Sequence, residues 1–133
     1  MILHRPPKAT LRPFVSMLWA KYASPPAERG PARELVLPIG AMHIVFRLGD
    51  RPLRLFEGPD DPNGQIVGAS VVGGVRNAAY CKDTSEPASA VGIMLRPGAA
   101  DLLSRTLAGA LAGRHTCLDD IWGQLDLAEM RDV

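Results

Sequence analysis

Three histidines, two cysteines, a serine set between glycines and a pair of adjacent aspartates are the groups in this chain whose types suit chemistry. A serine nucleophile of the elbow type needs Gly-x-Ser-x-Gly, because the serine must sit on a tight, strained turn. Gly68-Ala69-Ser70-Val71-Val72 lacks the final glycine and reads as a strand. Gly68 and Gly73 have the glycine spacing of a phosphate loop, but Gly74 stands where the lysine must follow. Gly73-Gly74 reads instead as a bulge or a bend at a barrel corner. A metal needs ligands that converge. His4, His43 and His115 are far apart in sequence, and His43 has no histidine two positions away and no glutamate nearby. A metal-dependent oxygenase or isomerase is therefore disfavoured, and no metal ligand, cofactor or catalytic residue is assigned. Asp60-Asp61 precedes Pro62-Asn63-Gly64 and reads as a turn rather than a cation site. Cys81 and Cys117 cannot make a disulfide framework and read as small, partly buried side chains, with a single bridge between them left open. Lone groups remain: His43, which can contact a ligand or sense pH, and Trp19, which can line a cavity. The ordinary roles of both, a hydrogen-bonded strand residue and a core aromatic, stand beside those readings.

These groups must be positioned by short strands. Phe14 to Tyr22 is aromatic and β-branched and favours a strand. The Pro/Ala/Gly-rich stretch 24–32 is a loop. Glu34–Pro38 is a short apolar strand that Gly40 breaks. In Met42–Leu48 the side chains of Met42, Ile44, Phe46 and Leu48 share one face, and His43, Val45 and Arg47 the other, by the two-residue period of a strand. Leu53–Phe56 alternates again, a long turn spans Gly58 to Gly64, and Ile66–Gly74, Asn77–Lys82 and Ala90–Arg96 read as further strands. After Arg96 the pattern turns helical. Pro97 suits a first helical turn, and Leu103, Leu107 and Leu111 recur every four residues. Thr116 can cap a further helix with Leu118, Ile121 and Trp122 as its apolar stripe. Trp122 is expected to pack against the sheet or a partner subunit. The whole chain, 1–133, reads as one mainly β domain: a barrel or sandwich of short antiparallel strands over about 14–96, followed by short helices over about 97–133. No stop signal precedes Val133, which predicts that the natural sequence continues.

Composition supports a folded domain, with 47% hydrophobic and 22% charged residues. Aromatic residues make up only 5%, so aliphatic side chains must build the core. The net charge is +1, and the arginines at 29, 33, 47, 51, 54, 76 and 96 are scattered singly. Duplex DNA binding by this chain alone is disfavoured by that lack of a basic patch. No apolar run approaches a bilayer span and the N-terminus lacks a signal-peptide core, which predicts a cytoplasmic protein without membrane contact.

Several segments, in order, resemble the N-terminal domain of one subgroup of AraC-type transcriptional regulators. They are Leu11-x-Pro13-x-Val15-x-x-x-Trp19, then Leu37-Pro38-x-Gly40-x-x-x-Ile44-Val45-Phe46-x-Leu48-Gly49, then Val72-Gly73-Gly74-x-Arg76. Val91-Gly92-Ile93-x-Leu95-Arg96-Pro97-Gly98-Ala99-Ala100 and Leu118-x-Asp120-x-Trp122-Gly123 complete the series. The resemblance implies a cupin-like β-barrel followed by helices, serving as the effector-sensing or dimerising half of a regulator. A DNA-reading half with two helix-turn-helix units is expected beyond the C-terminus, so DNA would be met only through that part. The family usually has an acidic residue where Ile39 stands and often another where His43 stands, so no role of those carboxylates transfers.

The expected function is thus regulatory rather than enzymatic. An unidentified small-molecule effector binds one arrangement of the domain better than another. Trp19, His43, Arg47 and Arg96 are the candidate ligand contacts, and an arginine there favours an anionic effector, with solvent-facing charge as the ordinary role of Arg47 and Arg96. Leu103, Leu107, Leu111 and Trp122 are candidates for the seam of a homodimer, although packing on the domain's own sheet explains them equally well. A small cupin-like enzyme and a ligand-free dimerisation module are the alternatives.

Overall fold

The computed structural model describes residues 2–23, 32–49, 51–85, 88–99 and 108–122, and strand propensity and turn chemistry divide these described residues into ten short strands. In chain order they are β1 (Ile2–Arg5), β2 (Val15–Lys21), β3 (Arg33–Val36), β4 (His43–Leu48) and β5 (Leu53–Phe56), then β6 (Gln65–Gly68), β7 (Ser70–Gly73), β8 (Tyr80–Asp83), β9 (Ser89–Leu95) and β10 (His115–Cys117). Two one-turn helices, α1 (Ala108–Leu111) and α2 (Asp119–Trp122), flank β10, and a 3-10 turn at Ala9–Leu11 precedes β2. Among the described residues no helix is long and apolar enough to cross a membrane.

The strands form two antiparallel sheets. One has the order β1-β2-β9-β4-β7-β10, the other β3-β8-β5-β6. They do not close into a barrel, so of the two expected forms the fold is sandwich-like. The chain crosses from the small sheet to the large one between β6 and β7. Gly68 makes that corner at φ 147, a conformation side chains other than glycine resist. A Cβ there would also press on the Cys117 sulfur. The single strand expected over Ile66–Gly74 is therefore two strands in different sheets.

The large sheet packs on both faces, against different partners, although part of its inner face is only half-buried. Its outer face carries Val15, Ile44, Val72 and Leu95, packed under Leu111, Leu118 and Ala99 of the C-terminal segment. Each such aliphatic side chain contributes about 1.5–3 kcal/mol relative to exposure. Its inner face meets the small sheet where Val71 packs on Leu53, Leu55 and Tyr80. The alternation read in β4 holds for Met42, Ile44 and Phe46, which belong to the outer core, but Leu48 is 58% exposed where the cover ends.

Two differences from the sequence reading have physical causes. A register shift between Val15 and Met17 puts one extra residue into β2. A bulge of this kind moves everything beyond it to the opposite face, so Val15 lies in the outer core while Met17 and Trp19 turn inward. Residues 115–117 are also a strand and not part of a helix. Pairing with β7 gives their backbone groups sheet partners, and the helix expected from Thr116 starts instead at Asp119.

Candidate functional site

The register of the large sheet arranges its inner face in three rows. Lys21, Ala90 and Arg47 stand side by side on β2, β9 and β4. The next row is Trp19, Gly92, Val45, Val71 and Cys117. The third is Met17, Met94, His43, Gly73 and His115. Rows two residues apart on a strand are separated by about 7 Å. The small sheet adds Tyr80 and Lys82, which share the inner face of β8, and Glu34, the register partner of Lys82.

Small residues in the central strands make room for rings. A Cβ on Gly92 would run into the Trp19 indole, and a Cβ on Gly73 into both the His43 and His115 imidazoles. Gly73 is thus neither bulge nor bend. It is the gap through which residues 43 and 115 meet, with ring centroids 5.6 Å apart and planes at 64°. Gly74 serves a different purpose. The chain leaving α1 passes directly over it, and its amide donates to the Arg114 carbonyl at 2.9 Å.

At the His115 end the polar groups form a chain. Arg76 lies over the Tyr80 ring, 4.3 Å from its centroid, and its Nε donates to His115 Nδ1 at 3.1 Å. His115 Nε2 is 3.3 Å from the Tyr80 hydroxyl. Burial, then the repulsion that two protonated rings would meet at His43, then the charge of Arg76, hold the His115 pKa down at about 3, so its ring is neutral. A neutral imidazole that accepts at Nδ1 carries its hydrogen on Nε2. That hydrogen points to the Tyr80 oxygen, which leaves the tyrosine's own hydrogen for another acceptor. His43 is also held neutral, first by burial and then by Lys82 and Arg76.

The other end is cationic. Burial lowers the Lys82 pKa, and the charges of Lys21 and Arg47 lower it further, while Glu34 works in the opposite direction. Lys82 Nζ is 3.9 Å from a Glu34 carboxylate oxygen. Burial likewise lowers the Arg47 pKa, opposed by Asp83. Beside Arg47 opens a hollow of about 190 Å³, lined by Arg47, Arg51, Arg54, Ile66, Asp83 and Ser85 among others. His43 Nδ1 and Arg47 Nε are both shielded from solvent and have no hydrogen-bond partner among the described residues. Buried polar atoms of native proteins are almost always paired with protein groups or ordered water, so both are unusual among the described residues.

Of the residues singled out by sequence, Trp19, His43 and Arg47 share this inner face. Arg96 does not. It is exposed, its guanidinium donates to the Arg12 carbonyl and its amide to Phe14 at 2.9 Å, so it ties the turn before β2 to the end of β9. Leu111 is 2% exposed and packs in the outer core of its own chain. Leu103 and Leu107 lie outside the described residues, and Trp122 is the last residue of α2. Sequence reasoning misses Lys21, Arg76, Tyr80 and Lys82, and it leaves His43 and His115 apart. Alternation in β8, with Tyr80 and Lys82 two residues apart, and the Gly73 to Arg76 motif are the signals that point to them. Among the described residues no group of three or more His, Cys, Asp or Glu side chains could hold a metal ion. The cysteines Cys81 and Cys117 are not bonded to each other.

A family model described as "Domain of unknown function (DUF6597)" matches residues 3–117. No curated protein and no solved structure matches the chain.

Proposed function

The chain belongs to the DUF6597 family, and on that premise we propose that it is the regulatory domain of an AraC-like transcription regulator, sensing an anionic small molecule between its two sheets. The observation that carries this reading is the meeting of Lys21, Arg47 and Lys82 on the inner face, with Glu34 and Asp83 as the nearby carboxylates. Like charges gathered in a half-buried space repel, and an anion placed among them removes that cost. The ordered motifs between Leu11 and Gly123 support the regulator assignment, because they run in the order of that group's sensing domains.

Binding transmits through named contacts. An anion bridging Lys82 on β8 to Lys21 and Arg47 draws the small sheet toward the large one. The same strand carries Tyr80, which touches His115 on β10. β10 is held at the sheet edge by three register pairs, and Leu118, which follows it, is buried under the outer face. A shift of β8 is therefore felt in α2. A ligand that favours one placement of β10 shifts the population of the regulator, whose DNA-reading part is met outside this domain.

The test uses the natural full-length protein and the DNA upstream of its own gene. Retention of that DNA is measured with and without small carboxylates and phosphate, for wild type and Lys82→Met. The reading expects at least one anion to change retention in wild type and not in the variant. Retention unmoved by every anion, or moved equally in the variant, overturns it.

Dimerisation, the other role of such domains, draws support from different residues than the leucines after Arg96. Leu35 on edge strand β3 is 59% exposed, and Leu37 and Ile39 just beyond it are 65% and 63% exposed. An aliphatic edge strand is a template for pairing with a second copy. Sedimentation of wild type against Leu35→Lys tests it: a dimer lost in the variant supports the reading, and a monomer at all concentrations contradicts it.

A further inference from the structure

The two shielded, unpartnered side-chain atoms of the described residues lie on one strand and one face. His43 and Arg47 are four residues apart on β4, so their backbones are about 13 Å apart. The ends differ in character. Arg47 stands in a row with Lys21 and near Lys82, whereas His43 stands beside His115, which in turn touches Tyr80. Between them the strip is apolar: Val45, Gly92 and the Trp19 indole lie in the middle row. Trp19, Val45 and Lys21 are each only half-buried, so this strip of the inner face is not sealed by the small sheet.

We propose that the ligand of this site is an elongated amphipathic carboxylate, its charged end among Lys21, Arg47 and Lys82 and its far end carrying a hydroxyl or carbonyl that meets His43 and Tyr80. The inference rests on the sensing function above and names its ligand class. The cationic row takes one carboxylate, since Glu34 beside Lys82 and Asp83 near Arg47 already offset part of its charge. The middle row takes an apolar chain or ring against Trp19. The deep end takes a neutral polar group: Tyr80 offers its hydroxyl hydrogen, and His43 Nδ1 donates or accepts according to its tautomer. A second anionic group does not belong there, because it would face the ring of Tyr80, which is 7% exposed, and give up its hydration. A metal ion does not belong there either, because Arg76 already occupies His115 Nδ1 and its charge, with that of Lys82, repels a cation.

Calorimetry of the purified protein with ω-hydroxyoctanoate, octanoate, octanol, acetate and inorganic phosphate tests the assignment. The expected order is ω-hydroxyoctanoate tightest, octanoate about tenfold weaker for lack of the hydrogen bonds at the far end, and octanol without measurable binding. Arg47→Met abolishes binding of both acids. His43→Leu makes ω-hydroxyoctanoate no better than octanoate, while His43→Gln retains part of the difference, and circular dichroism confirms that each variant is folded. Octanol binding as well as octanoate, or a His43→Leu variant that keeps the full preference, overturns the proposal. Acetate or phosphate binding that Arg47→Met removes, with no gain for the longer acids, overturns this ligand class and leaves anion sensing standing. Binding of none of the five overturns this ligand class, and the DNA-retention measurement then decides the sensing reading separately.

Discussion

His43 and His115 stand on the two strands that flank β7, and the bare Cα of Gly73 between them lets their rings approach edge to face at 5.6 Å. Both rings are held neutral by burial and by neighbouring cations. They mark the polar end of an inner face whose other end is cationic, and that gradient along one strand is the basis of the functional account.

The pair makes stability depend on pH with a definite sign. The His115 pKa is about 3 in the folded chain, below its ordinary value of 6.5. The unfolded chain therefore binds more protons below about pH 6.5, so stability is full above that pH and is lost as pH falls toward 3. One histidine contributes a slope of up to about 1.4 kcal/mol per pH unit. Urea unfolding from pH 7 to pH 4 is expected to show wild type losing stability faster than His115→Gln. Parallel curves would show that His115 takes up its proton as easily folded as unfolded.

Gly73→Ala places a methyl group against two imidazoles, and Gly74→Ala places one against the backbone carbonyl of Leu111. Side chains can turn aside and backbone cannot. Both substitutions are expected to destabilise, Gly73→Ala by about 1–3 kcal/mol and Gly74→Ala by more, since it must lift the chain after α1. Thermal unfolding ranks them. Gly73→Ala is also expected to shift the imidazole proton resonances of both histidines.

The two faces of β4 can be told apart by truncation. Ile44 is 2% exposed in the outer core and Leu48 is 58% exposed. Ile44→Ala is expected to cost about 2–5 kcal/mol, and Leu48→Ala to stay within about 0.5 kcal/mol. Equal losses would mean that the cover formed by Leu111 and Leu118 extends over Leu48.

In the turn from Glu57 to Gly64, Asp61 and its neighbour Asp60 differ. The Asp61 carboxylate accepts from the amides of Glu57, Asn63 and Gly64 at 3.1, 3.2 and 3.1 Å, and those bonds, Gly64 first, hold its pKa down. Arg33 binds the same turn through the Asp61 carbonyl at 2.7 Å while its guanidinium lies 3.5 Å over the Phe56 ring. Asp61→Ala is expected to lower the melting temperature and speed amide exchange at Gly64, with Asp60→Ala leaving both unchanged. An equal effect from Asp60 would contradict this division.

Much of the architecture was legible because it depends on local rules. Strand alternation found β4 and β5, and turn residues found the Asp61 loop. Half of the site was legible for the same reason, since His43, Val45 and Arg47 had to share a face. The rest depended on register. The bulge after Val15, which turns Trp19 inward, is one extra residue with no signature of its own. His115 reaches His43 only because a three-residue strand pairs with β7, and its helical surroundings in sequence hide that. Lys82 and Lys21 come from different sheets, and no spacing along the chain brings them together.

An anion with an apolar body, received on the inner face between His43 and Arg47, can be located there directly. The most direct measurement is the anomalous diffraction of bromine in crystals grown with ω-bromooctanoate. A bromine peak is expected between the sheets, close to His43 and Tyr80, with the carboxylate density at Arg47 and Lys82. Bromine found only on the outer surface, or no peak between the sheets at saturating ligand, would contradict it.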